Sequence, residues 1–282
     1  MLDNAYFSPP NLNEVCELLA KHTGKAHIIA GGTDLMVKVN RRLMEPEVLI
    51  NINECGLSYI RKEEGNILIG AAVTMSEIIE SELILEKLPM LAEAVKKIGS
   101  PAVRNVATLG GNLVNASPAA DSATALLALG ASFKLVSKNG ERVVEGEQFF
   151  VGPGETVLKA DEILKEISVP AQSEDEKWAY YKLGRRKADT LSVVSAAVKV
   201  KFDGEIVEDI RLAIGAVAPT PLLAKKTAEL LLGKKLDDAL IEEGARTAAE
   251  ETKPQDDVRA TAWYRRQACA ALVKRLLGQV RG

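Results

Sequence analysis

Two glycine pairs constrain the fold of this chain more than any other feature. Gly31-Gly32 sits in Ile28-Ile29-Ala30-Gly31-Gly32-Thr33-Asp34-Leu35, and Gly110-Gly111 sits in Thr108-Leu109-Gly110-Gly111-Asn112-Leu113. Each follows an aliphatic stretch and runs into small polar residues. A strand-like run that breaks into glycine exposes backbone N–H groups with no Cβ in the way, an arrangement that suits phosphate oxygens. Taken singly, a Gly-Gly turn after a strand is an ordinary connector. Two on one chain could grip both phosphates of a dinucleotide.

The surrounding residues leave several readings open. Thr33 and Asp34 stand where a helix or turn begins, so Asp34 reads equally as an N-cap. In the functional reading its carboxylate caps its own backbone while the N–H groups of Gly31, Gly32 and Thr33 face a ligand. After the second pair, Asn112, Asn115, Ser117 and Asp121 supply polar groups among small alanines. Asp121 could accept from a ribose hydroxyl, or Asp121 or Ser117 could simply cap a helix at 122–130. Lys182-Leu183-Gly184-Arg185-Arg186-Lys187 is a solvated turn by default, but beside a dinucleotide it could balance negative charge.

Composition removes other classes. A net charge of −3 argues against nucleic acid as the main partner. Cys16, Cys55 and Cys269 are isolated, with no Cys-x-x-Cys, which excludes an iron–sulfur or zinc site built from this chain alone. Unpaired cysteines suit a reducing cytoplasm, and Met1 to Tyr6 show neither a basic start nor an apolar leader. The longest apolar run, around Ala123 to Ala131, falls far short of the ~20 residues of a membrane span. Neither a Gly-x-Gly-x-x-Gly fingerprint nor a P-loop occurs. With only His22 and His27, no histidine-based triad or metal site is convincing, and His27 by itself reads as a surface residue opening a strand.

Periodicity predicts a helix over 11–22, strands near 26–30, 47–52 and 67–72, two helical pieces over 76–98 broken near Pro89, and a buried helix at 121–130. Short strands follow from 132 to 170. The polar stretch 171–176 reads as a linker. Strands at 178–183, 192–202 and 208–217 then precede helices near 221–232, 236–251 and 260–279. The expected class is α+β: an α/β unit over about 1–55, a boundary at 171–176, and a three-stranded sheet with three helices over 177–282.

Ala30-Gly31-Gly32-Thr33-Asp34-Leu35, Arg104-Asn105-Val106-Ala107-Thr108-Leu109-Gly110-Gly111-Asn112, Ser117-Pro118 and Asp121 closely resemble the FAD-binding medium subunit of molybdenum hydroxylases. Tyr180 to Arg186 and Trp263-Tyr264-Arg265-Arg266 extend the resemblance along essentially the whole chain. It implies a vanillyl-alcohol-oxidase-like, PCMH-type flavin fold, with two α/β subdomains holding FAD, the second of them over 56–172, and a C-terminal sheet-and-helix domain. It also implies site residues. His27, Ile28, Ile29, Ala30, Gly31, Gly32, Thr33 and Asp34 would wrap the pyrophosphate, and Thr108, Leu109, Gly110, Gly111 and Asn112 would form the second phosphate loop. Ser117 belongs to the same motif. Asp121 would meet the adenosine part, Leu164 and Lys182 would approach FAD from later strands, and Ile98 and Gly99 would face the isoalloxazine. Ile98 is aliphatic where the animal xanthine enzymes carry an aromatic ring, so aromatic stacking is not expected on that face.

The implied role is electron exit. FAD would take electrons from a [2Fe–2S] cluster on a small subunit and pass them to an acceptor such as NAD, with substrate oxidation left to a large molybdopterin-binding subunit, within a cytoplasmic heterotrimeric unit. Lys182, Arg185 and Arg186 could stabilise an anionic reduced flavin. The competing expectations are a FAD- or nucleotide-binding regulatory module without redox turnover, and a self-contained flavin oxidase, for which no substrate constellation is visible.

Overall fold

The computed structural model describes residues 5–281; residues 1–4, on which the expectation of no leader rests, and residue 282 lie outside the described part. The chain opens with β1 (Ala5–Phe7), α1 (Leu12–Lys21), β2 (Ala26–Ile29), α2 (Leu35–Asn40) and β3 (Val48–Asn51). Asn11 caps α1 by accepting the Glu14 N–H at 3.0 Å. The recurrence of Val15, Cys16 and Leu19 then turns one face of the helix into the core with Ile50, Ile52 and Leu57. The strands pair in the order β1-β3-β2, all parallel. Loops leaving the carboxyl ends of parallel strands gather on one side, where ligands bind in open α/β sheets. Ala30 to Asp34 is such a loop.

The second unit is antiparallel. It contains β4 (Ile60–Glu63), β5 (Asn66–Gly70), α3 (Met75–Glu80), α4 (Glu82–Lys87), α5 (Pro89–Lys96), α6 (Pro101–Arg104), α7 (Leu109–Val114), α8 (Asp121–Leu129), β6 (Ser132–Ser137), β7 (Gly140–Glu145), α9 (Gly146–Phe149), β8 (Phe150–Gly152), β9 (Glu155–Thr156) and β10 (Ile163–Pro170). Its main sheet runs β4-β5-β10-β6-β7. Glu166 pins the register of β10: its carboxylate, 2% exposed, takes the Tyr59 hydroxyl at 2.7 Å and the Lys134 ammonium at 3.2 Å. The 76–98 stretch breaks twice rather than once. Pro89 opens α5 as expected, but Ser81 also ends α3 and caps α4, accepting the Ile84 N–H at 3.3 Å. Every residue of α8 is buried, and Gly130 stops the helix in the left-handed region at φ 77°.

The third unit comprises β11 (Glu176–Gly184), β12 (Ser192–Asp203), β13 (Ile206–Gly215), β14 (Leu222–Leu223), α10 (Lys225–Leu231), α11 (Asp238–Glu251) and α12 (Ala262–Arg281). The three expected strands form, and β14 adds a short fourth, pairing Leu222 and Leu223 with Ile214 and Ala213. One face of this sheet packs under α11 and α12; the other joins the core of the second unit through Tyr180, Ala197 and Ala213. A strand covered on both faces reads as a continuous buried run, as Ser192 to Val200 does. Close approach of α8 needs Gly215, where a Cβ would stand 2.3 Å from Thr124 Oγ1 and 2.4 Å from Ser195 Oγ. The stretch 171–176 is no free tether: Ala171 and Gln172 N–H groups bond to the Gly65 and Lys87 carbonyls, and Glu176 already belongs to β11. No helix among the described residues is long and apolar enough to cross a membrane.

Candidate functional site

A cleft of about 400 Å³ runs along the carboxyl end of the parallel sheet. His27 to Leu35, Lys38 and Met44 line one side, and Ala71, Ala107, Thr108, Gly110 to Asn112, Val114 and Asn115 line the other. Gly154, Leu158 and Glu162 to Leu164 complete it. Of the residues expected at a ligand, His27, Ile28, Ile29, Ala30, Gly31, Gly32, Thr33, Asp34, Thr108, Gly110, Gly111, Asn112 and Leu164 meet here. His27 thus faces the cleft from within β2 rather than open solvent.

The four glycines divide the work in a way their spacing does not show. At Gly31 a Cβ would lie 1.9 Å from the Val106 carbonyl oxygen, and at Gly110 it would lie 2.6 Å from both the Cβ and the carbonyl oxygen of Ala71. Those two glycines let chain segments touch backbone to backbone, and Gly31 docks the first loop directly onto the approach to the second. Gly32 is needed for conformation, at φ +66°. At Gly111 the added Cβ would meet only Thr108 Oγ1, at 2.9 Å, so this position alone combines helical backbone with an open face on the cleft.

The N–H groups divide equally sharply. Those of Gly31, Gly32, Thr33, Asp34 and Leu35 have no acceptor among the described residues. A left-handed residue within a run of unpaired amides forms a concave anion cradle. The second loop departs from expectation. Its Leu109 and Gly110 N–H groups donate to Val73 and Ala71 carbonyls at 2.9 and 3.0 Å. Gly111 donates to Thr108 Oγ1 at 3.1 Å, and Asn112 to the Thr108 carbonyl at 3.0 Å. What the second loop still offers is the Thr108 N–H, the Thr108 hydroxyl proton and a smooth glycine surface. Leu109 is fully buried in the core and does not line the cleft.

Asp34 takes the N-cap position of α2 yet makes no side-chain cap. Its carboxylate accepts Asn115 Nδ2 at 2.5 Å, and Asn115 Oδ1 accepts Lys38 Nζ at 3.0 Å, so the two loops are laced together. Asn112 accepts the Ser122 hydroxyl at 2.6 Å, and Ser117 accepts the Ala119 N–H at 3.3 Å in a local turn outside the cleft. Glu162 lines the cleft but is held by both arms of Arg142 at 2.8 Å, which lowers its pKa from the usual carboxylate range.

Asp121, Lys182, Ile98 and Gly99 gather elsewhere. Asp121 is the first residue of α8, but neither it nor Ser117 caps that helix; Ala120 holds the cap position. Instead Asp121 pairs with Lys182 at 2.7 Å, their side chains 4% and 7% exposed, and also accepts the Ser192 hydroxyl at 2.5 Å. Lys182 Nζ donates further to the Lys97 carbonyl at 2.8 Å, next to Ile98 and Gly99, whose own carbonyls are gripped by Arg104 at 2.9 and 3.1 Å. The buried Tyr180 hydroxyl has no hydrogen-bond partner among the described residues, and burial followed by the Asp121 charge raises its pKa. Arg185 and Arg186 lie on an exposed turn, bonded to the Val258 and Asp189 carbonyls. The basic cluster is therefore one buried lysine and a separate surface loop.

Lys38 and Glu162, which are not among the expected site residues, also line the cleft. Lys38 lies one helical turn after Asp34, a signal that the register of α2 could have supplied. Glu162 carried no local signal, because its place is set by the turn it closes with Lys159 just before β10 and by its pair with Arg142. All three cysteines are buried and unpaired, and no cluster of metal-ligating side chains occurs among the described residues.

A shaped cleft with unclaimed amides at one end and small residues along its wall suits a ligand that carries phosphates, on a fold of the α+β class. The model described as "FAD binding domain in molybdopterin dehydrogenase" matches residues 2–172, and that of the "CO dehydrogenase flavoprotein C-terminal domain" matches residues 179–280. The chain belongs to the FAD-binding medium subunits of the xanthine dehydrogenase and carbon monoxide dehydrogenase family. It is 35% identical to the carbon monoxide dehydrogenase medium chain of Hydrogenophaga pseudoflava, over 96% of this chain and 95% of that one. It is 31% identical to the glyceraldehyde dehydrogenase medium chain of Sulfolobus acidocaldarius, over 98% of each. A solved structure of the H. pseudoflava carbon monoxide dehydrogenase superposes with a TM-score of 0.96 at 34% identity, covering 98% of this chain and 96% of the other.

Proposed function

We propose that this chain is the electron-transfer subunit of a multi-subunit molybdenum hydroxylase. It would take electrons from a small [2Fe–2S] subunit beside a large molybdopterin-binding subunit and pass them to an external acceptor such as NAD. The observation that carries the reading is the unclaimed amide run at Gly31 to Leu35 inside a cleft of this family's fold. Bound FAD supplies a carrier able to handle one or two electrons, which suits a step between a one-electron cluster and a two-electron acceptor.

The chain's own residues position and charge-balance that group. In this reading the amides of Gly31 to Leu35 hold one phosphate, while Thr108 and the bare Gly111 surface bound the other. Leu164 and the aliphatic strand ends exclude water from the remainder of the cleft. Because Asp121 and Lys182 sit with Ile98 and Gly99 rather than at the amide cradle, we assign all four to the ring end of the flavin and none to the adenosine end. There Lys182 is already paired with Asp121, so the pair as a whole is neutral and offers the ring at most the third N–H donor of the ammonium. The proposed division is 1–55 and 56–172 as flavin-holding subdomains and 177–282 as the C-terminal domain, in a cytoplasmic heterotrimer.

Composition of the complex tests the assembly. Native mass spectrometry of the complex isolated from its source is expected to show this chain with a large and a small partner, and metal analysis is expected to give molybdenum and iron. A chain recovered only by itself, with neither metal, contradicts the reading.

A further inference from the structure

Lys38 is the cleft's uncommitted cation. It projects from α2 and lines the cleft, and among the described residues it forms no ion pair. Its Nζ makes a single hydrogen bond, to the Asn115 carbonyl oxygen at 3.0 Å, although an ammonium carries three donors. The two acids of the lining are already engaged: Asp34 by Asn115 at 2.5 Å, and Glu162 by Arg142 at 2.8 Å. The same wall holds the unclaimed amides of Gly31 to Leu35. Donors without acceptors and a cation without a counter-ion, on one side of one cleft, call for an anion more fully charged than amides alone would select.

We propose that Lys38 supplies the cationic contact to the diphosphate of the bound dinucleotide, making it a binding determinant that neither glycine motif contains. This rests on the dinucleotide reading of the cleft. Asn115 then acts as a spacer. It holds Asp34 away from the ligand through Nδ2 and steadies the ammonium through Oδ1, so the Asp34 carboxylate neither repels the phosphates nor quenches Lys38. Asn is suited to this because one side chain both donates and accepts.

The test uses the isolated complex stripped of flavin, with FAD, ADP and riboflavin as probes. Lys38→Gln keeps a hydrogen-bond donor but removes the charge. It is expected to weaken FAD and ADP binding about ten- to a hundredfold, to leave riboflavin binding unchanged, and to flatten the dependence of FAD affinity on salt. Lys38→Arg is expected to restore most of the affinity, and thermal melts show that each variant is folded. Unchanged FAD and ADP affinity in Lys38→Gln, or an equal loss for riboflavin, overturns the assignment while leaving the dinucleotide site standing. An unmodified complex that rebinds no FAD overturns both.

Discussion

Gly31→Ala is expected to cost about 3 kcal/mol or more of folding stability, beyond the usual range for overpacking. A Cβ 1.9 Å from the Val106 carbonyl oxygen strikes backbone on both sides, so no rotamer change relieves it. The first loop must lift away from residues 106–107. That movement strains the Asp34–Asn115–Lys38 lacing and opens the cleft, so flavin is lost together with stability. Gly111→Val behaves differently. Its Cβ meets only Thr108 Oγ1, on the face that lines the cleft, so the fold loses about 1 kcal/mol or less through a disturbed cap, partly offset because valine is a better helix former than glycine. Flavin content nevertheless falls at least about tenfold, because a branched side chain occupies ligand space. Thermal melts and flavin stoichiometry on the two variants check this. Equal losses of stability, or full flavin in Gly111→Val, contradict the division between docking and cleft-facing glycines.

The second large effect is at the Asp121–Lys182 pair. Both side chains are nearly inaccessible, and the pair joins α8 to β11, with Ser192 of β12 as a third partner. Asp121→Ala strands a buried ammonium and leaves the Ser192 hydroxyl without its acceptor; Lys182→Met strands a carboxylate. Each is expected to cost about 3–5 kcal/mol, because breaking one side of a buried pair leaves an uncompensated charge. Removing both together, as Asp121→Ala with Lys182→Met, is expected to cost clearly less than the sum of the singles. Chemical denaturation of the four proteins in a double-mutant cycle measures the coupling. Strict additivity would show that the two residues are not a unit. The motif alone implies a ligand contact for Asp121, since it carries no indication of a buried partner 61 residues away.

What could be read in the sequence was local in origin. Helix α1 was visible because the Pro9-Pro10 stop, the Asn11 cap and the 3–4 spacing of Val15, Cys16 and Leu19 all lie within a dozen residues. Strands β12 and β13 were visible as stretches rich in aliphatic residues and of strand length. The extra break at Ser81 was missed because a serine between helical stretches is ambiguous until its side chain is seen capping α4. Strand β14 was missed because two residues carry no periodicity.

At the site, the residues named together from one loop, His27 to Asp34, all line the cleft. What the sequence could not show was which donors the protein itself had already claimed. The amides of the Thr108 to Asn112 loop look free in sequence, but Val73 and Ala71, brought alongside by an isolated bridge between Thr74 and Thr108, take two of them. The same limit applies to Asp121 and Lys182. Partnerships across units depend on how α8 seats against β12 at Gly215, and no spacing encodes that.

If the cleft holds FAD as the electron exit of a larger complex, the flavin must follow the redox state of the partner's clusters. Anaerobic spectroscopy of the complex isolated from its source tests it most directly. One FAD per copy of this chain is expected, with a yellow absorption that bleaches when the iron–sulfur centres are reduced and returns on addition of NAD⁺ or another two-electron acceptor. A complex without flavin, or one whose flavin stays oxidised while the clusters are reduced, would contradict it.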